Sequence, residues 1–152
     1  VGSGPFPSEL LDETGEMIRT KGAEFGSTTG RPRRCGWFDG VVTRYACDLN
    51  GVTEINLTKL DVLSGIKTLK LATSYTHKGK TLNSFADCID IADEIEVQYE
   101  EMPGWEEDIS KCKSRAELPM AAQNYITRIE ELSGVRVSYI GVGHDRMEMI
   151  EG

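Results

Sequence analysis

The sequence predicts a layered fold that mixes strands and helices, of the α/β or α+β kind. Apolar residues recur at helical spacing near both ends of the chain, most regularly at Ala121, Ala122, Tyr125, Ile126, Ile129 and Leu132. Between the helical segments lie short runs rich in branched residues, such as Val52 to Leu57, which read as strands. No internal repeat or low-complexity segment interrupts the pattern, and 152 residues suffice for one domain with a real core.

Taken in order, Val1-Gly2-Ser3-Gly4-Pro5-Phe6-Pro7 is a turn-rich start. Ser8 is placed to cap a helix whose apolar face is Leu10, Leu11, Thr14, Met17 and Ile18 and which ends near Gly22. A loop with three arginines follows. Phe38, Val41, Val42, Tyr45 and Leu49 share one face, so a second helix is expected from Trp37 to Leu49, with Asp39 near its start and Asn50-Gly51 stopping it. That placement turns the positive helix end toward the arginine loop, a ready anion-binding arrangement.

Val52 to Leu57 and Ile66 to Tyr75 read as strands, and Thr76 to Lys80 as a hairpin-like turn. From Phe85 onward no period is clean until Ile95 to Tyr99, which alternates as a strand does. Met102-Pro103-Gly104-Trp105 reads as a turn with an aromatic anchor, and Trp105 as packing. A polar connection, Asp108 to Arg115, leads to the helix around Ala121 to Leu132, which Ser133-Gly134 ends. Arg136 to Ile140 is a strand that empties into Gly141-Val142-Gly143, and a polar tail closes the chain.

Composition narrows the function. The net charge of −8 argues against a general nucleic-acid binder and against an anionic membrane surface. No apolar run approaches the length that spans a bilayer, and the first residues do not read as a signal peptide. The first residue is Val, in a Gly/Pro loop, which leads us to expect the C-terminal piece of something longer. Cys35, Cys47, Cys88 and Cys112 form no Cys-x-x-Cys pair and read as reduced packing thiols of a cytosol-like compartment. His77 and His144 are too scattered for a metal cluster.

Two stretches carry ligand chemistry. In Gly26 to Asp39, Thr28 and Thr29 offer hydroxyls, Gly30 lets the backbone come close to a ligand, and Arg31, Arg33 and Arg34 present planar forks suited to carboxylate or phosphate. A solvated turn or a basic patch would use the same arginines. About thirty residues on, Thr58-Lys59-Leu60-Asp61 follows a strand, where α/β proteins place ligand contacts. A carboxylate there is complementary to the two adjacent N–H donors of guanine, and adenine lacks that pair. The Lys59 stem can lie over a flat base while its ammonium stays in water. A solvated strand end would look the same. Gly141 to Gly143 is a third strand-end loop, and in isolation a tight turn.

Read together, Val1 to Leu10, Gly26 to Asp39, Thr58 to Leu63 and Gly141 to Arg146 resemble the C-terminal third of the adenylosuccinate synthetase family, over essentially the whole chain. The resemblance implies a C-terminal fragment of a P-loop-like α/β enzyme, with mixed strands and three main helices. It implies GTP-dependent ligation of IMP and L-aspartate to adenylosuccinate, in AMP biosynthesis. By motif, Ser27, Thr28, Thr29, Gly30 and Arg31 would close on aspartate, with Arg31 also reaching IMP. Arg33 would lie near aspartate and the GTP end, and Val1 would line the nucleotide–aspartate pocket. Lys59, Leu60 and Asp61 would hold guanine, with Gly141, Val142 and Gly143 closing over the same base. The family's Gly-Asp-Glu-Gly-Lys-Gly phosphate loop, catalytic aspartate and histidine, and Mg2+ ligands have no counterpart in this chain. It would therefore bind rather than catalyse unaided, as part of a cytoplasmic homodimer. A different class of function, a non-catalytic module docking an acidic segment or a phosphate on the arginine loop, predicts salt-dependent binding indifferent to the base.

Overall fold

A computed structural model describes residues 4–152; the expectation for Val1 lies outside the described residues. Seven strands and three α-helices lie among them, with four strands in succession between the second and third helices. Two short sheets share the work. In the larger, β3 (Thr68–His77) pairs in parallel with β1 (Phe38–Asp39) and antiparallel with β4 (Lys80–Leu82) and β5 (Glu96–Pro103). In the smaller, β6 (Arg136–Gly141) pairs in parallel with β2 (Glu54–Leu57) and antiparallel with β7 (Met149–Glu151). The mixed α/β class expected from the sequence is the class observed.

One core joins both sheets to α3 (Met120–Ser133). The helix buries Ala122, Tyr125, Ile126 and Ile129, the face its apolar period marks out. Leu69 and Leu71 of the larger sheet and Val137 and Ile140 of the smaller meet that face. Trp105, 3% exposed, packs with its ring centroid 6.1 Å from that of Tyr125. Its indole N–H donates to the Ser64 hydroxyl at 2.9 Å, so this tryptophan is structural, as expected.

The first helix starts later than the sequence suggests. Ser8 is no cap: it is fully buried, and its hydroxyl donates to the Trp37 carbonyl at 2.8 Å. Residues 8–10 instead lie extended against 35–37, through a Glu9–Gly36 bridge and a bond from the Leu10 N–H to the Cys35 carbonyl at 2.9 Å. Helix α1 (Glu13–Lys21) is capped by Asp12, whose carboxylate accepts from the Gly15 N–H at 3.0 Å. Leu11, placed by its period on the apolar face, is 90% exposed. A long-range partner for Ser8 outweighed its capping propensity, which local sequence does not encode.

The second helix, α2 (Gly40–Asn50), begins three residues past Trp37, because β1 intervenes and pairs with β3. Asp39 is its cap, accepting from the Val41 and Val42 N–H groups at 3.1 Å each. The Tyr75 hydroxyl donates to the same carboxylate at 2.8 and 2.9 Å. The positive helix end is therefore taken by the chain's own carboxylate rather than left open to an outside anion. Burial pushes the Asp39 carboxyl above its usual range, and the amide and phenol hydrogen bonds oppose that shift. Strand β4, the two 3-10 turns at Phe85–Asp87 and Ile89–Ile91, and β7 in the supposed polar tail were not legible as elements.

Candidate functional site

The arginine loop is a narrow excursion with a tied neck. The Gly26 N–H donates to the Arg31 carbonyl at 2.8 Å, and the Gly30 N–H to the Gly26 carbonyl at 2.8 Å. Below that turn, Phe25 and Pro32 form a bridge, and the Arg33 N–H donates to the Glu24 carbonyl at 2.9 Å. Gly30 adopts φ +62°, a left-handed conformation that a side chain disfavours, so the tight reversal depends on it. Ser27, Thr28, Thr29, Gly30 and Arg31 stand exposed at the tip. The Thr29 hydroxyl accepts a long bond of 3.4 Å from the Arg31 N–H, which leaves its own proton for a ligand.

The three arginines separate by role. Arg31 makes no ion pair among the described residues and is exposed. Arg33 pairs with Glu24 at 2.8 Å while remaining half exposed. Arg34 turns the other way: it pairs with Glu9 at 2.6 Å, donates to the Gly4 carbonyl at 2.7 Å, and lies over the Phe6 ring at 5.4 Å. Its hydrogen bond holds the Glu9 carboxyl below the usual range. Arg34 thus fastens the start of the described chain to the loop, and Arg31 and Arg33 are the cations left near the tip. Cys35, buried beneath the loop, has its thiol pushed up by burial and is not a nucleophile poised for chemistry.

The second motif is built by the parallel pairing of β2 and β6. Their register sets Leu57 beside Ile140, so both chains leave the sheet at the same end. Thr58 and Lys59 therefore meet Gly141 and Gly143, and with His144, Asp145, Arg146, Glu148 and Met149 they line a cleft of about 470 Å³. A Cβ on Gly141 would sit 3.2 Å from the Thr58 Cα and 3.3 Å from the Lys59 nitrogen, so only glycine allows this approach without a shift. Val142 is fully buried and belongs to the core; its N–H is taken by the Glu148 carbonyl at 2.8 Å. Leu60, 1% exposed, is likewise core and anchors the turn that carries Asp61.

Asp61 and Lys59 differ in state. Oδ1 of Asp61 is buried and has no hydrogen-bond partner among the described residues. Buried polar groups are normally hydrogen-bonded, so this acceptor stands out; Asp61 itself is not among the residues lining the cleft. Lys59 sits at φ +60°, uncommon for a residue with a side chain. Its ammonium is not simply in water, as the sequence suggests: it donates to the Gly22 carbonyl at 2.6 Å and to Glu24 at 2.5 Å. The sequence reading missed Glu24, and its only signal was a lone acid just ahead of a cationic loop. It missed His144, Asp145, Arg146, Glu148 and Met149 as cleft residues too, because only the β2–β6 pairing brings their loop to Lys59.

No group of three or more His, Cys, Asp or Glu side chains that could hold a metal ion is found among the described residues. No helix among them is long and apolar enough to cross a membrane.

Two loops, one from Thr58 and Lys59 and one from Gly141, leave neighbouring parallel strands at the same end, the place where α/β proteins commonly take ligands. The chain belongs to the adenylosuccinate synthetase family, whose model matches residues 1–150. It is 56% identical over 99% of its length to adenylosuccinate synthetase 2, chloroplastic, of Sorghum bicolor, covering 31% of that protein. It is 53% identical over 99% of its length to adenylosuccinate synthetase of Carboxydothermus hydrogenoformans, covering 35% of it. Among solved structures, fully ligated adenylosuccinate synthetase from Plasmodium falciparum superposes with a TM-score of 0.93 at 42% identity, over 100% of this chain and 37% of that one. The chain spans about a third of the length of these relatives.

Proposed function

We propose that this chain is the aspartate- and guanine-recognising part of a GTP-dependent C–N ligase that joins IMP and L-aspartate to give adenylosuccinate, in AMP biosynthesis. The observation that carries the reading is the unpartnered, buried Oδ1 of Asp61, two residues on from Lys59, which lines the strand-end cleft. Guanine supplies the two adjacent N–H donors that such a carboxylate lacks. Membership of the family supports the same assignment.

In this reading Asp61 selects the base, the Lys59 stem and the Gly141 to Gly143 backbone bound it, and Leu60 and Val142 hold those segments from within the core. Ser27, Thr28, Thr29, Gly30 and Arg31 receive the aspartate carboxylates, and Arg31 extends to IMP. Arg33 stands between aspartate and the GTP phosphates. The reaction phosphorylates the 6-oxygen of IMP, and the aspartate amine then displaces that phosphate. The phosphate loop, the catalytic aspartate and histidine, and the ligands for Mg2+ belong to the part of the protein outside this chain, which unaided is inactive. Mg2+ there would neutralise phosphate charge. The whole protein acts as a cytoplasmic homodimer, without nucleic acid or membrane partners.

The test is calorimetric titration of the full-length protein with GDP, and with ADP as control. GDP binding at least tenfold tighter than ADP is expected. Equal binding of both, weakening steeply with salt, refutes the guanine pocket and favours a general anion loop.

A further inference from the structure

One side chain outside every assigned motif touches both. The carboxylate of Glu24 accepts from Arg33 at 2.8 Å on Oε2 and from Lys59 at 2.5 Å on Oε1. It is 24% exposed, between two cations whose side chains are 56% and 38% exposed. These two hydrogen bonds, that of Lys59 the larger in effect, hold its carboxyl below the usual range. Its backbone is tied on both sides, the N–H donating to the Arg19 carbonyl and the C=O accepting from the Arg33 N–H, each at 2.9 Å. The preceding residue, Ala23, lies at φ +50°, which turns the chain from α1 into the loop neck. Glu24 therefore cannot drift to follow one cation without leaving the other.

We infer that Glu24 is a positioning residue that couples the two subsites: it relays the order imposed on Lys59 by a guanine nucleotide to Arg33 at the base of the aspartate loop. The inference rests on the assignment of those subsites under the proposed function. A base packed along the Lys59 stem fixes its ammonium. That fixes the Glu24 carboxylate, and the carboxylate holds the Arg33 fork in one orientation before aspartate arrives. The dicarboxylate then meets an ordered cation and forfeits less side-chain freedom on binding. Thermodynamic reciprocity requires aspartate to tighten the nucleotide by the same factor.

The test uses the full-length protein and measures the dissociation constant of L-aspartate by calorimetry with and without saturating GDP, then of GDP with and without L-aspartate. The expected coupling factor in the parent is about fivefold, equal in both directions. In Glu24→Gln, which keeps the shape but not the charge, the factor falls toward one while both ligands still bind. Glu24→Asp keeps the charge and supports folding if the amide does not, but it is one methylene too short to reach both cations. It is expected to lose the coupling as well. A merely structural glutamate lowers thermal stability or weakens both ligands while the coupling factor persists. A coupling factor unchanged in Glu24→Gln or Glu24→Asp, or absent from the parent although both ligands bind, overturns the inference. Failure of the parent to prefer GDP over ADP fails the guanine assignment instead, which keeps the two ideas apart.

Discussion

Replacing Asp61 by Asn is the perturbation that most directly interrogates the site. In the structure, Oδ1 of Asp61 is buried and unpartnered. Filled by guanine, the carboxylate would accept two charge-assisted bonds, each contributing about 1.5–3 kcal/mol. Asparagine keeps one acceptor and sets an N–H against a guanine N–H. One charge-assisted bond is then lost and a donor is left without a partner, a penalty of roughly 3 kcal/mol, or on the order of 100-fold in Kd. Xanthine presents an acceptor where guanine has its amino group, so the variant should gain affinity for XDP by a similar order. The assay is competitive titration of GDP and XDP against parent and variant full-length protein. A second readout guards against trivial loss of folding. Removing the charge from a carboxylate whose Oδ1 is buried without a partner should leave the thermal midpoint unchanged or higher. A GDP-to-XDP preference identical in parent and variant refutes the reasoning.

Further expectations follow from the same geometry. Arg31→Ala should weaken L-aspartate at least tenfold and leave thermal stability unchanged, because Arg31 has no ion-pair partner among the described residues; Arg34→Ala should instead lower the thermal midpoint through lost contacts to Glu9, Gly4 and Phe6. Asp39→Ala removes the α2 cap and strands the buried Tyr75 hydroxyl, costing about 2–4 kcal/mol in urea unfolding. Gly141→Val should prise Thr58 and Lys59 from the β6 end and weaken GDP more than L-aspartate, measured by titration, since its Cβ would lie 3.2 Å from the Thr58 Cα. Glu24 has a folded-state pKa below its ordinary 4.5, so its contribution to stability is fully present above that value and is lost as pH falls through the lowered one. The stability gap between the parent and Glu24→Gln in urea unfolding should therefore shrink between pH 6 and pH 3.

Period and punctuation along the chain determined the helix over 120–133, the strands around 54–57, 68–77 and 136–141, and the stops at Gly51 and Gly134. These features are local: a buried face must repeat at the period of its own element, and a left-handed stop needs a residue that tolerates it. The candidate loops were legible for the same reason, since residue types suited to anions or to guanine cluster within a few positions of a strand end. Tertiary structure decided the rest. Ser8 found Trp37 instead of a helix, and Asp39 took the helix end that seemed free for a ligand. The β2–β6 register brought Gly141 onto Lys59, and Glu24 became the shared partner of Arg33 and Lys59. Apart from the Asp39 cap, whose N–H donors lie two and three residues on, each of these contacts joins residues that are nine or more positions apart. Its energy depends on where the intervening chain returns, and no propensity or short motif records that.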